Sequence, residues 1–324
     1  MELPRRKFLH LAAGVAALPA VSGVALADDY PSRSIRLIIG FTPGAASDVL
    51  GRIFAKGADA VLGQQVVVEN KPGAGSSIAA EYVAHAAKDG YTLFVPTLST
   101  VTDEIVSARS VEVSRDFAPI ALLGNIAIVL VVSPESNVHS VAELIALAKS
   151  KPGQVLYASV GAGTLPHLCA VLFAQRAGVN LVHVPYPGSP QAVTDVIAGR
   201  VTMFFAPGSA IVGQIAAGKL TALATAADKR ADILPNVPTM AEAGVADFST
   251  PLWLGLAAPA GTPQPVIEKL AGAAQKAMHM PDALAALRSQ GADTLDSGPN
   301  QFGAFIRSEA ARWSEVARSA GLKS

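Results

Sequence analysis

Two stretches of the chain place small and hydroxyl-bearing residues between an apolar run and an amphipathic helical pattern. The first is IRLIIGFTPGAASDVLGRIFA, from Ile35 to Ala55, and the second is VLYASVGAGTLPHLCAVLFAQ, from Val155 to Gln175. A helix that starts after such a turn presents backbone N–H groups without intrahelical partners, and its dipole is positive at that end. Both stretches therefore predict an anion site built from backbone amides.

Hydroxyl groups add to the donors at these two turns. Ser47, Ser159 and Thr164 can each donate, and neither turn contains Lys or Arg, so binding would depend on neutral donors that allow release. Micromolar affinity needs about 8 kcal/mol. Four or five hydrogen bonds to a charged group, at roughly 1.5–3 kcal/mol each, can supply it after the costs of association. A capped helix without ligand is the alternative for either turn alone, and the presence of two such turns favours binding.

Patterns typical of enzymes and metal sites are missing or incomplete in the sequence. GQIAAGKL has the spacing of a phosphate-binding loop but ends in Leu220, where Ser or Thr should bind magnesium. Gly161 and Gly163 begin a dinucleotide fingerprint whose third glycine is replaced by Pro166. No nucleophile elbow or H-E-x-x-H motif occurs, and the histidines after residue 27 lack metal-ligand spacing. We predict no catalytic residue, no metal ligand and no cofactor.

Charge and cysteine content narrow the class of protein further. Lys and Arg together number 25, as do Asp and Glu, so no bulk charge indicates binding to nucleic acid or to an anionic membrane surface. The single cysteine, Cys169, rules out an intramolecular disulfide, and its context HLCAVLF predicts a buried helix position.

The N-terminal residues 1–27 have the pattern of an export signal. Arg5-Arg6 begins a twin-arginine pattern, a weakly apolar Ala-rich run follows, and Ala25-Leu26-Ala27 is a small-x-small cleavage site ahead of Asp28. The run is too short and too weakly hydrophobic for a good membrane span, although an uncleaved anchor is the alternative. Such patterns are also handled by the general export route. We predict a protein of the periplasm.

Short Val/Ile/Leu runs alternate with helical patterns along the rest of the chain. This alternation predicts an α/β fold of mostly parallel sheets with helices on both faces. The two glycine turns lie about a third of the chain apart, which indicates two similar lobes. We predict a first lobe from 28–125 and 251–324, including a helical tail, and a second lobe from 126–250. Ligands of such folds bind at the carboxyl ends of the strands, so the two turns should line one cleft between the lobes.

Several segments in order resemble one family of receptors. They are YPSRSIRLIIGFTPGAASD, LGQQVVVENKPGAGSSIAAEYVA, KDGYTL, VLYASVGAGTLPHL, LVHVPYPGS, LPNVPTMAEAG and WLGLAAPAGTP. The chain after the leader resembles the Bug-type periplasmic solute receptors of tripartite tricarboxylate transporters. The resemblance implies a two-lobed periplasmic-binding-protein (Venus-flytrap) fold that closes on a small carboxylate. It also implies delivery to membrane transporter subunits or to a sensor kinase, and we expect a monomer.

The resemblance maps carboxylate binding onto residues 41–48 and 159–167, and the end of the strand YTLFVP adds pocket candidates. The predicted ligand-binding residues are Phe41, Gly44, Ala45, Ala46, Ser47, Asp48, Thr97, Ser99, Ser159, Gly161, Ala162, Gly163, Thr164, His167, Tyr186 and Phe205. The segment Asn70, Pro72, Gly73 and Gly75 is expected to shape a turn without touching ligand.

Four departures from the family pattern bear on the ligand. Gly44-Ala45 replaces a common Gly-Gly, Ala162 replaces a frequent polar residue, Pro187 stands where Lys is frequent and Phe205 where Asp is frequent. Because an unpaired buried charge is costly, the last two predict a ligand whose distal part is apolar, aromatic or hydroxylated, and no amino acid. The alternatives to a receptor are a hydrolase or lyase with unrecognised catalytic groups and a structural envelope protein.

Overall fold

The computed structural model describes residues 30–106, 111–250 and 252–319. The predicted export signal and its cleavage site near Ala27 lie outside the described residues. Within the described ranges, no helix is both long and apolar enough to cross a membrane. The same ranges contain no group of three or more His, Cys, Asp or Glu side chains placed to hold a metal ion.

Strands and helices alternate through most of the described chain, as the hydrophobic patterns predict. The strands are β1 (Ile35–Ile39), β2 (Val66–Asn70), β3 (Thr92–Phe94), β4 (Phe117–Ile126), β5 (Ile128–Val132), β6 (Val155–Ser159), β7 (Leu181–Pro185), β8 (Met203–Pro207), β9 (Thr221–Thr225), β10 (Leu252–Pro259) and β11 (Ala292–Asp293). The α-helices are α1 (Ala46–Leu62), α2 (Ser77–Ala84), α3 (Leu98–Val106), α4 (Val113–Asp116), α5 (Val141–Ser150), α6 (Leu165–Ala177), α7 (Ser189–Ile197), α8 (Gly208–Ala216), α9 (Gln264–Met278), α10 (Pro281–Ser289) and α11 (Pro299–Ser319).

The strands form two sheets. The first has the order β11-β4-β10-β3-β1-β2, and the second has the order β7-β6-β8-β5-β9. Strands β1, β2 and β3 pair in parallel, as do β6, β7 and β8. The strands next to the crossings between the sheets, β10 and β5, pair antiparallel with both of their neighbours. The two-sheet α/β fold is confirmed, and its sheets are mixed because the returning strands run against the rest.

The chain passes from the first sheet to the second at one residue. Strand β4 ends at Ile126 and β5 begins at Ile128, so Ala127 alone joins them. Its amide donates to the Gly291 carbonyl at 3.1 Å, and its carbonyl accepts from the Gly208 amide at 2.8 Å. Ala127 is therefore bonded to both halves of the molecule. The chain returns to the first sheet between β9 and β10, and α9 and α11 then pack against β4.

Both faces of the second sheet are buried. On β5, Ile128, Leu130 and Val132 belong to one apolar cluster, whereas Val129 and Val131 belong to another. Successive side chains of a strand point to opposite faces, so each face meets its own layer of apolar side chains. This explains why IVLVV reads as a continuous apolar run without alternation.

Candidate functional site

The starts of five helices converge on one buried cavity between the two sheets. These helices are α1, α3, α6, α7 and α8, each of which follows a strand end: β1, β3, β6, β7 and β8 respectively. The cavity, here called the inner cavity, has a volume of about 30 Å³ and is lined by Phe41, Ala45, Ala46, Ser47, Thr97, Ser99, Val160, Leu165, Pro166, Gly188, Ser189, Pro207, Leu252 and Leu254. Helix N-termini present unpaired N–H groups and positive dipole ends, so their convergence favours an anion.

None of the described residues that line the inner cavity carries a charge. Helix α1 starts after Ala45 and α6 starts after Thr164, and no side chain caps either helix. Their first backbone amides therefore lack the partner that a capping residue supplies elsewhere. The site can attract an anion through oriented dipoles alone.

Buried hydroxyl groups without hydrogen-bond partners mark the cleft. Ser47 and Thr97 line the inner cavity, are 4% and 2% exposed, and have hydroxyl oxygens without a partner. Two further unpaired hydroxyls belong to Thr42 and Ser76 in neighbouring segments. Buried polar atoms normally have a partner, and leaving one unpaired costs about 1–3 kcal/mol. Such a group at a cavity wall indicates that a bound molecule completes it.

A second cavity adjoins the first and is here called the outer cavity. It has a volume of about 290 Å³ and is lined by Gly40, Phe41, Gly73, Ala74, Gly75, Ser76, Val160, Gly161, Ala162, Tyr186 and Pro187. Phe41 and Val160 line both cavities. Most of the inner lining is buried, whereas Gly73, Ala74, Ala162 and Pro187 are exposed. The outer cavity is thus the solvent side of the same cleft.

The first glycine turn is held by the side chain of Asp48. Its carboxylate accepts the Gly44 amide at 2.9 Å, binds the Arg52 guanidinium at 2.9 Å and accepts from the Asn70 amide at 2.9 Å. Burial alone would raise the pKa of Asp48, but these hydrogen bonds outweigh it and hold the pKa below its usual value. Asn70 also donates to the Phe41 carbonyl at 2.9 Å. Asp48 therefore supports the turn and is already fully engaged.

The second glycine turn repeats this geometry with a histidine. The Gly163 amide donates to Nδ1 of His167 at 3.1 Å, as the Gly44 amide donates to Asp48. Accepting this bond requires His167 to be neutral with its proton on Nε2. Its ring stacks on His183 at 4.4 Å, and the Ser159 hydroxyl lies 2.6 Å from Nε2 of His183. Burial, and secondarily His183, lower the pKa of His167 to about 4.

The lowered pKa of His167 predicts a stability that falls in mild acid. Between about pH 6.5 and pH 4 the unfolded chain binds a proton at this residue and the folded chain does not, so stability is lost as pH falls through that window. The loss should approach roughly 3 kcal/mol. Urea unfolding at about pH 7.5 and pH 5 should show it. His167→Asn, which retains an acceptor for the Gly163 amide but does not titrate, should show less pH dependence; an equal dependence would contradict this assignment.

The two halves of the molecule touch across the cleft. The Thr102 hydroxyl, from the α3 region, donates to the Gly163 carbonyl at 2.6 Å. A Cβ placed on Gly188 would overlap the Thr42 hydroxyl, so these residues are in close contact. A Cβ on Gly75 would lie 3.8 Å from the Ala162 carbonyl oxygen. The structure is therefore closed around the two cavities.

The predicted ligand-binding residues fall into three groups. The inner cavity includes Phe41, Ala45, Ala46, Ser47, Thr97 and Ser99, and the outer cavity includes Phe41, Gly161, Ala162 and Tyr186. The remaining predicted residues line neither cavity: Gly44, Asp48, Ser159, Gly163, Thr164, His167 and Phe205. Most of this last group holds the glycine turns in shape, as described for Asp48 and His167.

Phe205 lies in the core and not at the cleft. It is fully buried, its ring stacks on Phe248 at 5.5 Å and it meets Phe173 edge-on at 6.0 Å. The position of Phe205 within β8, and not at its carboxyl end, explains the difference, because there it packs with Met203 in the larger apolar cluster. Pro207, two residues further on the same strand, reaches the inner cavity instead.

The sequence patterns had not indicated several lining residues. Gly188 and Ser189 begin α7 after β7, so they carry the same strand-turn-helix signal as the two glycine turns. Gly73 and Gly75, for which the sequence predicts only a role in shaping a turn, line the outer cavity together with Ser76, for which it makes no prediction. Leu252 and Leu254 belong to the returning strand β10, and nothing in their local sequence distinguishes them from core residues.

Known proteins share this sequence and this fold. Protein BugT of Bordetella pertussis is 36% identical over 310 residues, which cover 94% of this chain and 95% of BugT. The solved structure of Rpa4515 of R. palustris with adipate has a TM-score of 0.87 and 32% identity, covering 90% of this chain and 99% of that one. MatC of Rhodopseudomonas palustris with bound malate has a TM-score of 0.84 and 29% identity, covering 89% and 99%.

The family assignment follows from a match over most of the chain. The model of the tripartite tricarboxylate transporter family receptor, TctC, matches residues 50–322. This range contains ten of the eleven strands, all eleven helices except the start of α1, and most of both cavity linings. Members of the family are solute-binding receptors of the periplasm, not enzymes. The chain belongs to the tripartite tricarboxylate transporter family of receptors.

Proposed function

We propose that this receptor binds a small organic carboxylate, with the carboxylate group in the inner cavity. The observation that carries the proposal is the pair of buried, unpaired hydroxyls of Ser47 and Thr97 at a cavity where five helices begin. Hydroxyl groups and free backbone amides donate to a carboxylate, and the helix dipoles favour its charge. Rpa4515 and MatC, whose structures contain adipate and malate, support this class of ligand.

The lining of both cavities also limits the rest of the ligand. Among the residues that the structure describes, no charged one lines either the inner or the outer cavity, and Pro187 contributes a ring to the outer one. A second carboxylate or an ammonium in either cavity would therefore lose water without gaining an ionic partner, which is unfavourable. We infer a ligand with one carboxylate and an uncharged distal part that is apolar, aromatic or hydroxylated. Amino acids with a free ammonium are excluded by the same reasoning.

A thermal-shift screen tests this function directly. Because a ligand that binds only the folded state stabilises it by about 2.7 kcal/mol at a hundred times its dissociation constant, monocarboxylates should raise the melting temperature by several degrees. Benzoate-like and short-chain acids should act, and glutamate, aspartate and citrate should not. Incubation should return the ligand unchanged, as expected for a receptor. Binding of glutamate, aspartate or citrate with no response to monocarboxylates would contradict the proposed ligand.

The partners and organisation complete the proposal. The receptor would act as a monomer, with lobes formed by residues 28–125 with 251–324 and by residues 126–250. The closed cleft would deliver its carboxylate to membrane transporter subunits or to a sensor kinase. Contacts such as that of Thr102 with Gly163 support a closed, ligand-holding form of the two lobes.

Export through the leader forms a separate part of the proposal. Residues 1–27 would be removed after Ala27, so protein from the periplasm should begin at Asp28 or within a residue or two of it. Replacing Arg5 and Arg6 together by Lys should block twin-arginine export, because that route reads the paired arginines. Intact mass spectrometry of periplasmic protein checks the cleavage site. Retention of Met1 would show that no signal is removed.

A further inference from the structure

The outer cavity is lined by defined segments on both sides of the cleft. One side is the segment from Gly73 to Ser76 in the first lobe, and the other is the turn from Val160 to Ala162 in the second. The cavity continues into the inner one, since Phe41 and Val160 line both. A ligand anchored in the inner cavity would therefore extend into the outer one.

The backbone of the segment from Gly73 to Ser76 is unusual. Its four successive residues have positive φ: 135° at Gly73, 47° at Ala74, 62° at Gly75 and 89° at Ser76. Glycine adopts such angles easily, but Ala74 and Ser76 have a Cβ and are strained there. Strained backbone persists where the surrounding structure enforces it, often at a binding site. Here the strain places Ser76 against the start of the first glycine turn.

The hydroxyl of Ser76 is the polar group of this wall. The residue is fully buried, and its hydroxyl oxygen has no hydrogen-bond partner. The Ser76 side chain occupies the space that a Cβ on residue 40 would need. It fits there, at the end of β1, because residue 40 is glycine. A buried hydroxyl held by a strained backbone and left unpaired at a cavity wall indicates a missing hydrogen-bonding group.

The remaining walls are apolar surfaces. Phe41 and Tyr186 contribute rings, and Pro187 contributes another flat apolar face. The Tyr186 hydroxyl donates to the Asp195 carboxylate at 2.9 Å, so that hydroxyl is already engaged. Of the described residues that line the outer cavity, Ser76 is thus the one with an unpaired hydroxyl, and none of them is charged. These surfaces suit a ring or another compact apolar group.

We propose that the outer cavity receives the uncharged body of the ligand, and that a hydroxyl on this body pairs with Ser76. The inference rests on the proposed binding of the carboxylate in the inner cavity. It identifies the ligand class as hydroxylated, ring-bearing monocarboxylates. The carboxylate of each ligand binds in the inner cavity. Ser76 then distinguishes ligands by whether their other end carries a hydroxyl.

Three acids with the same propanoate group test the contributions of the two cavities separately: propanoate, 3-phenylpropanoate and 3-(3-hydroxyphenyl)propanoate. In the full-length mature receptor, calorimetry should show affinity rising when the ring is added and rising again with the hydroxyl. Ala162→Leu narrows the outer cavity at a residue without positive φ, and should weaken both ring acids at least tenfold more than it weakens propanoate. Ser76→Ala should remove the preference for the hydroxylated acid and keep that for the ring. Ala216→Leu, on an exposed helical position of α8 outside both cavities, is the matched control.

The outcomes distinguish this inference from the proposed function. If propanoate binds but the ring adds no affinity, or if Ala162→Leu weakens all three acids equally, the outer cavity does not hold the ligand body. If Ser76→Ala keeps the full preference for the hydroxylated acid, Ser76 does not select it. If none of the three acids binds the unmodified receptor, the proposed carboxylate site fails together with this inference.

Discussion

Ser47→Ala and Thr97→Val should each weaken carboxylate binding without destabilising the ligand-free receptor. Both hydroxyls are buried and lack partners in the structure, so the folded protein loses no hydrogen bond when they are removed. In the complex each would donate to a charged oxygen, a bond worth roughly 1.5–3 kcal/mol. The dissociation constant should therefore rise about 10- to 100-fold per substitution. Calorimetry with the best acid of the screen, together with urea unfolding without ligand, measures both effects.

Ser209→Ala provides a matched control for these two variants. The Ser209 hydroxyl is also buried and unpaired, but Ser209 lines neither cavity. It should leave the affinity unchanged. If Ser47→Ala and Thr97→Val bind as tightly as the unmodified receptor, or if all three variants weaken binding alike, the inner cavity is not the carboxylate site.

Gly188→Ala should hold the cleft partly open and weaken binding at least tenfold. A methyl group at this position would overlap the Thr42 hydroxyl, which belongs to the facing glycine turn. The backbone at Gly188 is extended, with φ of −171°, so alanine fits the local conformation and the obstacle lies across the cleft. The second contact of the added methyl, at 3.1 Å, is the flexible end of Gln191, which can move aside. Solution scattering should show a larger radius of gyration in the presence of ligand.

Removing the obstacle should restore closure. Thr42→Ala combined with Gly188→Ala eliminates the overlapping hydroxyl, and the double variant should recover most of the affinity. Non-additivity of this kind is the signature of two residues in direct contact. Gly213→Ala is the control, since nothing lies within 4 Å of its added Cβ. A double variant as weak as Gly188→Ala alone would show that the contact between Thr42 and Gly188 does not govern closure.

Hydrophobic periodicity was sufficient to predict an α/β fold with two sheets. Runs such as RLII and VLYAS are apolar because both faces of their sheets are covered, and the helical patterns between them are equally regular. The direction of β10 was not predictable from LWLGLAAP, because pairing partners are set by how the chain returns between the sheets. Hydrophobic periodicity depends on which faces of a strand are buried, and not on which strands it pairs with.

The predicted ligand-binding residues remain predictions, and the structure places them differently around the cleft. Ser47 was predicted from a strand-turn-helix stretch and Thr97 from the carboxyl end of a strand, and both line the inner cavity. Phe205 lines neither cavity, because it lies within β8 and packs in the larger apolar cluster. Ser76 was overlooked because its left-handed backbone, at φ of 89°, is not encoded by a residue type that normally adopts it. Local signals indicate where a turn occurs, whereas tertiary packing decides what the turn faces.

No charged side chain lines either cavity among the residues that the structure describes, and this affects how the ligand is captured. Fields that steer charged ligands over long distances come from net charges, and dissolved salt screens them beyond about 8–10 Å. Dipoles at helix ends act within the first turn of the helix and only once the ligand has entered. Because the described lining residues offer the carboxylate no ionic partner, we expect its affinity to depend little on ionic strength. A receptor of this kind would keep its ligand when the salt content of its surroundings changes.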